Sequence, residues 1–166
     1  MILKEIRNRC SIREYAADPI SDDQVRELLR AAKFAPTSRN NRAIEFVVVH
    51  DQSMKEQLYD IAVAPQEFVR DAPVLIVPVT DPSKTNQPVQ DLSIASMAIF
   101  LQAASMDLGT VWKNLAPEVA TKVKQTLGIP EALMVINLIP VGHPTEKPGA
   151  HIDDELDDSI VHLEKW

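Results

Sequence analysis

The chain has 166 residues, with 24 acidic side chains against 17 lysines and arginines, and its net charge of −7 argues against a general affinity for nucleic acid. One domain over residues 1–166 is expected, able to bury roughly 70% of the surface of the unfolded chain without staples. A lone cysteine, the lack of an amino-terminal apolar run before a cleavage site, and apolar stretches far short of the roughly 20 residues of a bilayer span predict a cytoplasmic protein without a membrane segment.

Residues 2–9 predict a short helix with Ile2, Leu3 and Ile6 on one side. Ser21-Asp22-Asp23-Gln24 fits a capping box, and Ile20 and Val25 sit where a hydrophobic staple would close. Val25, Leu28, Leu29 and Ala32 then recur at i, i+3, i+4 and i+7, which predicts one buried helical stripe. The helix should end near Ala35, because Pro36 disfavours helical backbone in the residue before it. The seven residues Pro36 to Arg42 that follow are polar or turn-forming, longer than an ordinary connection of about two to six. They suit either a solvated loop or one that holds a polar ligand.

The Val- and Ile-rich run 44–49 predicts a buried strand. A helix is expected to open at Ser53 as N-cap, and "PQEFVRDAP" to form a helical turn. "VLIVPVT" follows as a second strand, in which Pro78 requires an edge or a bulge. Residues 82–90 are punctuated as loop. Residues 91–108 predict a helix that is apolar almost all round, so it needs cover on more than one face, as a central helix and a subunit interface. Gly109 is expected as its C′ residue. Pro117 and Gly128 bracket a further helix, and "ALMVINLIPV" reads as a third strand.

Four glycines, at 109, 128, 142 and 149, are too few and too scattered for a dinucleotide fingerprint or a P-loop, so any nucleotide-like phosphate must be held by side chains. No G-x-S-x-G turn exposes a serine nucleophile, and the four histidines show neither an i, i+4 pair nor H-E-x-x-H, so no metal site is expected. Residues 1–42 hold nine basic and six acidic side chains, a local +3, against −10 over the remainder. That asymmetry reads either as an acidic tail or as an amino-terminal site for a small anion. Arg9, Ser11 and Arg13 alternate along the chain; in an extended segment they would share a face, and guanidinium forks with a hydroxyl match phosphate oxygens.

The order of "RCSIREYAADPI", "AAKFAPTSRNNRAIEFVVV", "DAPVLIV", "ASMDLGTVW", "VGHPTEKP" and "VHLEKW", spread over nearly the whole chain, resembles the nitroreductase family of FMN-dependent oxidoreductases. The resemblance implies an α+β three-layer sandwich, a central mixed or antiparallel sheet flanked by helices, in an intertwined homodimer with FMN at the subunit interface. It implies electrons from NADH or NADPH passing through the flavin to a small acceptor such as a nitroaromatic, a quinone or a flavin. Arg9, Cys10, Ser11 and Arg13 would lie along the cofactor, with Arg9 and Ser11 on the phosphate and ribityl chain and Arg13 near the N1 side of the ring. Pro36, Thr37, Ser38 and Asn40 would reach in from the partner, Leu108, Gly109 and Thr110 would form the turn beside the ring, Lys147 would complete the phosphate site, and Gln66 would make another contact. Two departures stand out. Arg42-Ala43-Ile44 replaces the family's common Gln-Pro-Trp, and near Lys147, where a second arginine is usual, Gly149 and His151 stand instead. These motivate an alternative, a flavin-binding or storage module without efficient turnover; a third reading is an acidic interaction protein.

Overall fold

The computed structural model describes residues 2–61, 65–145 and 158–166. Six α-helices fall in that range: α1 (Lys4–Asn8), α2 (Asp22–Phe34), α3 (Gln52–Asp60), α4 (Glu67–Asp71), α5 (Pro88–Ser105) and α6 (Pro117–Leu127). The strands are β1 (Ile44–Val49), β2 (Val74–Thr80), β3 (Gly109–Thr110), β4 (Lys113–Asn114) and β5 (Asn137–Gly142). They form one sheet in the order β1-β2-β5-β3, with β4 also on β5, and every pairing between these strands is antiparallel.

Alternation along β2 divides the core in two. Leu75, Val77 and Val79 face a cluster with Leu58 of α3, Phe68 and Val69 of α4, and Val119 and Val123 of α6. Val74 and Ile76 face the opposite cluster, with Val25, Leu28 and Ala32 of α2 and Ala95, Ile99 and Ala103 of α5. Because successive strand side chains point to opposite faces, a strand buried on both must be apolar throughout, as β2 is. The result is the three-layer α+β sandwich, helices on both sides of the sheet.

Pro78 sits where the ladder can spare its missing N–H. Ile76 pairs with Ile139 and Thr80 with Met134, so the side of β5 carries one more residue than β2 between these pairings, a bulge opposite the proline. Pro140 explains why β3 and β4 are separate. Their register on β5 is continuous from Thr110↔Val141 to Lys113↔Leu138, and Pro140 falls in the gap with no donor to offer.

The capping box of α2 forms as expected: the Ser21 hydroxyl accepts from the Gln24 amide at 3.2 Å, and the Gln24 carboxamide accepts from the Ser21 amide at 2.9 Å. Elsewhere the boundaries differ. The N-cap of α3 is Asp51, whose carboxylate accepts from the Met54 amide at 2.8 Å, rather than Ser53. The long apolar helix occupies Pro88–Ser105, not 91–108, because Pro88 takes the first helical position, where a missing N–H costs nothing. Gly109 is not its C′ residue; Asp107, with φ 54°, supplies the left-handed step, and Gly109 lies in β3. The third strand is shorter than 132–141, and β3 and β4, two residues each, are too short to leave a periodic signal.

One core feature had no signal in the sequence. Lys55 is 4% exposed and donates from Nζ to the Ala72 carbonyl at 2.7 Å, tying α3 to the entrance of β2. Burial lowers its pKa, against the opposing pull of Asp71 and Asp51.

Leu28 is fully buried between α2 and the sheet. Leu28→Ala is expected to destabilise the fold by about 3 kcal/mol, read as a lowered denaturant midpoint with little change in slope.

Candidate functional site

The first group of site residues is fixed to the sheet by an extended segment. Arg9 ends α1 with extended backbone, its amide donating to the Glu5 carbonyl at 2.9 Å. Ser11 then bridges Thr110 in parallel, the Ile12 amide donates to the Thr110 carbonyl at 3.0 Å, and the Ala16 amide donates to the His143 carbonyl at 2.8 Å. Ile12 turns inward at 4% exposed, while Ser11 and Arg13 are exposed and Arg9 and Cys10 are half-buried. The phenol of Tyr15 donates to the Ile12 carbonyl at 2.7 Å, and burial pushes its pKa up despite the nearby Arg13 charge.

Two glycines make this lamination possible. A Cβ on Gly109 would stand 2.7 Å from both Cβ and Cγ2 of Ile12. One on Gly142 would stand 2.7 Å from Tyr15 and from Pro73. Gly109 is therefore required for close approach of the segment carrying Ser11 and Arg13 rather than for ending a helix. Its neighbour Thr110 is buried beneath that segment, and the Leu108 side chain packs into the core with α2 and α5.

The second group is held by one carboxylate. Asp91, at the start of α5, is 2% exposed. Its Oδ1 accepts from the Ser38 amide at 2.7 Å, and its Oδ2 accepts from Thr85 Oγ1 at 2.7 Å and Asn41 Nδ2 at 3.0 Å. Burial acts to raise its pKa, but the hydrogen bonds from Thr85, Asn41 and Ser38 outweigh it and hold the carboxyl below the ordinary carboxylate value. The loop is further tied by Ser38 Oγ donating to Asn86 Oδ1 at 2.7 Å and by the Arg42 amide donating to Thr37 Oγ1 at 3.1 Å. Inside it, Arg39, Asn40 and Arg42 take φ of 52°, 54° and 52°. Only asparagine adopts that region readily among the three. Asp91, Asn41 and Thr85 were missed by the sequence reading. The available signal was an acid standing alone at the head of an otherwise apolar helix.

Pro36, Thr37 and Asn40 border a cleft of about 230 Å³ between the end of α2 and β1. None of Arg9, Cys10, Ser11, Arg13, Leu108, Gly109 or Thr110 lines it, so one chain does not bring the two groups together around that space. Gln66 is exposed at the N-cap of α4. Lys147, Gly149 and His151 lie outside the described residues. Among the described residues no cluster of His, Cys, Asp or Glu is suited to a metal, and no helix is long and apolar enough to cross a membrane.

Asp91→Asn replaces an acceptor oxygen with a donor amide facing donors, and is expected to cost about 3 kcal/mol at pH 7. A carboxyl whose folded pKa lies below its unfolded value of about 3.9 contributes fully above that value and loses the contribution as pH falls through the folded pKa. Denaturation at a series of pH values should therefore show the gap between native protein and variant narrowing below about pH 4. Gly109→Ala should displace the Ile12 strand and lower stability by about 1–3 kcal/mol, with weakened amide protection at Ile12 by hydrogen exchange.

The model of the nitroreductase family matches residues 6–65 and 55–143. A Methanothermobacter thermautotrophicus protein, named provisionally as an NADH dehydrogenase/NAD(P)H nitroreductase, is 35% identical over 99% of this chain and 87% of its own. An FMN-dependent nitroreductase from Clostridium difficile R20291 superposes with a TM-score of 0.91 at 29% identity, covering 98% of both chains. A structure from Desulfovibrio desulfuricans, described provisionally as a nitroreductase in complex with FMN, gives 0.83 at 27% identity, over 98% of this chain and 96% of that one.

Proposed function

The chain belongs to the nitroreductase family, and on that premise we propose that it is an FMN-dependent oxidoreductase, working as a homodimer, that passes electrons from NADH or NADPH to a small acceptor such as a nitroaromatic, a quinone or a flavin. The observation that carries this reading is the donor set on the segment beside β3. Ser11 and Arg13 stand exposed on either side of the buried Ile12, and Arg9 precedes them on extended backbone. Two guanidinium groups and a hydroxyl, with no carboxylate interleaved, suit the oxygens of a phosphate monoester. FMN, when bound, supplies the hydride and electron chemistry itself.

The roles proposed for this chain's residues are those that the family resemblance implies, and residue character is compatible with them. Arg9 and Ser11, with Cys10 in the same segment, would hold the phosphate and ribityl chain, and Lys147, outside the described residues, would add a cation to the phosphate by the same resemblance. Arg13 sets a fixed positive charge against the electron-rich edge of the ring system, a preorganised electrostatic role that needs no proton transfer. Leu108, Gly109 and Thr110 shape the turn on which that segment rests, and Gln66 contributes one more polar group. Pro36, Thr37, Ser38 and Asn40 border the ring from the second subunit. A second subunit is supported by the separation of the two groups within one chain. It is supported also by apolar surface that needs cover: Ile94 and Met97 on α5 are 42% and 41% exposed, and Leu163 and Trp166 near the carboxyl end are 85% and 101% exposed.

Purified protein is expected to be yellow or to take up added FMN, and to lose its colour on anaerobic mixing with NADH or NADPH. Colour without bleaching would leave only the flavin-binding module. Arg13→Ala should weaken FMN binding by about tenfold or more, equivalent to about 1.4 kcal/mol, in a fluorescence titration. Unchanged binding and unchanged reduction rate would remove the role assigned to Arg13.

A further inference from the structure

We propose that Asp91 is a positioning residue for the flavin site of the other subunit: by holding the turn 37–42 it sets how tightly the partner's site binds FMN. This role rests on the proposed function and deepens it, since Asp91 is not itself among the proposed flavin contacts.

Its ground is backbone strain. Arg39, Asn40 and Arg42 all take left-handed φ, at 52°, 54° and 52°, and the two arginines do so at a steric cost. Backbone in such sparsely populated regions persists only where its surroundings over-determine it, and it concentrates at ligand sites and switches. Here one carboxylate supplies the constraint. Asp91, 2% exposed at the head of α5, takes the Ser38 amide on Oδ1 and the Asn41 side chain on Oδ2, so a long helix grips the turn at two points. Thr85 bonds the same Oδ2 at 2.7 Å, and Asn86 takes the Ser38 hydroxyl.

The held conformation also decides which polar groups remain for a ligand. Thr37 Oγ1 accepts from the Arg42 amide and Asn40 Oδ1 accepts from Arg42 Nε, each at 3.1 Å, so both acceptors are used inside the turn. The Thr37 hydroxyl hydrogen and the Asn40 Nδ2 group have no acceptor among the described residues. The turn thus offers donors, which suit the carbonyl oxygens of a flavin ring. Thr37, Asn40 and Arg42 line the cleft at the end of α2, in the proposed subunit interface, and none of Arg9, Ser11 or Arg13 of the same chain lines it. The site that Asp91 serves is therefore the partner's.

A merely structural Asp91 would act within its own chain. There α5 packs against β3, on which the Ser11 segment rests, so a general loosening of α5 would weaken the site built on that same chain.

Mixed dimers separate the two roles. Arg13→Ala disables the donor segment and Asp91→Asn releases the turn; each variant alone is expected to bind FMN about tenfold more weakly than native protein in a fluorescence titration. A dimer of one chain of each kind, co-expressed with two different affinity tags and purified through both, combines an intact segment with an intact turn at one site. It should recover native affinity for one FMN per dimer. If no native-affinity site returns, Asp91 acts within its own chain and the proposal is overturned. Thr85→Val removes one donor from the same carboxylate and replaces Asp91→Asn if that variant does not fold, with binding about threefold weaker alone and the same recovery in the mixed dimer. A measurement without cofactor accompanies these: the Arg42 amide, which does not touch Asp91, should lose hydrogen-exchange protection in the variant while the amides of α2 keep theirs. Unchanged exchange at Arg42, or native FMN affinity in Asp91→Asn dimers, would also sink the proposal. If native protein takes up no FMN at all, the oxidoreductase reading falls and this role with it, a result distinct from equal binding by native protein and variant.

Discussion

A buried carboxylate is costly unless donors surround it, and Asp91 meets that condition by drawing on two separate loops. The Ser38 amide and the Asn41 side chain come from the turn after α2, and the Thr85 hydroxyl comes from the approach to α5. Hydrogen bonds to a charged group contribute about 1.5–3 kcal/mol each, whereas a left-handed residue other than glycine costs roughly 1–2 kcal/mol. Three such bonds therefore offset the strained backbone at Arg39 and Arg42. The position of Asp91 at the amino end of α5 adds a favourable helix-dipole term. Asp91 thereby holds the turn that carries Thr37, Asn40 and Arg42 to the cleft, together with the Ser38–Asn86 and Arg42–Thr37 hydrogen bonds.

The other half of the site depends on exclusion rather than attraction. Gly109 leaves room for Ile12, and Ile12 anchored inward obliges Ser11 and Arg13 to point outward. The same lamination continues through Tyr15 against Gly142 and the Ala16 amide on His143. Positive charge is thereby placed on a short rigid ledge over the sheet, not on a flexible arm. A ledge of that kind loses little conformational entropy when an anion binds.

These two halves are linked by α5. Its inner face, with Leu92, Ala95, Ile99 and Ala103, supports α2 and the sheet, and its first turn carries Asp91. Its outer face leaves Ile94 and Met97 to water in a single chain. If the proposed homodimer forms, with the loop of one chain completing the ledge of another, burying them would add hydrophobic stabilisation and couple cofactor binding to association.

Much of this was legible before any fold was known. The capping box, the stripe of α2, the strand β2, the all-round apolar α5 and the family motifs are local or periodic signals, and local propensity and burial agree on them, whereas β1, expected as a buried strand, lies at the sheet edge with Glu45 exposed and only Val49 buried. Pro78 announced an edge or a bulge, and in the central strand β2 it is the bulge that forms. What the sequence could not show was contact between residues far apart in the chain. The contact of Ser38 with Asp91, 53 positions along the chain, the approach of Ile12 to Gly109, and the buried Lys55 on the Ala72 carbonyl all arise from how the layers stack. Sequence by itself determined the elements and the kind of chemistry, because periodicity and residue character are written along the chain. Only the tertiary structure decided which loop is clamped, which glycine is needed for space, and which arginine faces the cleft, because those depend on partners that come together only when the sheet and helices close.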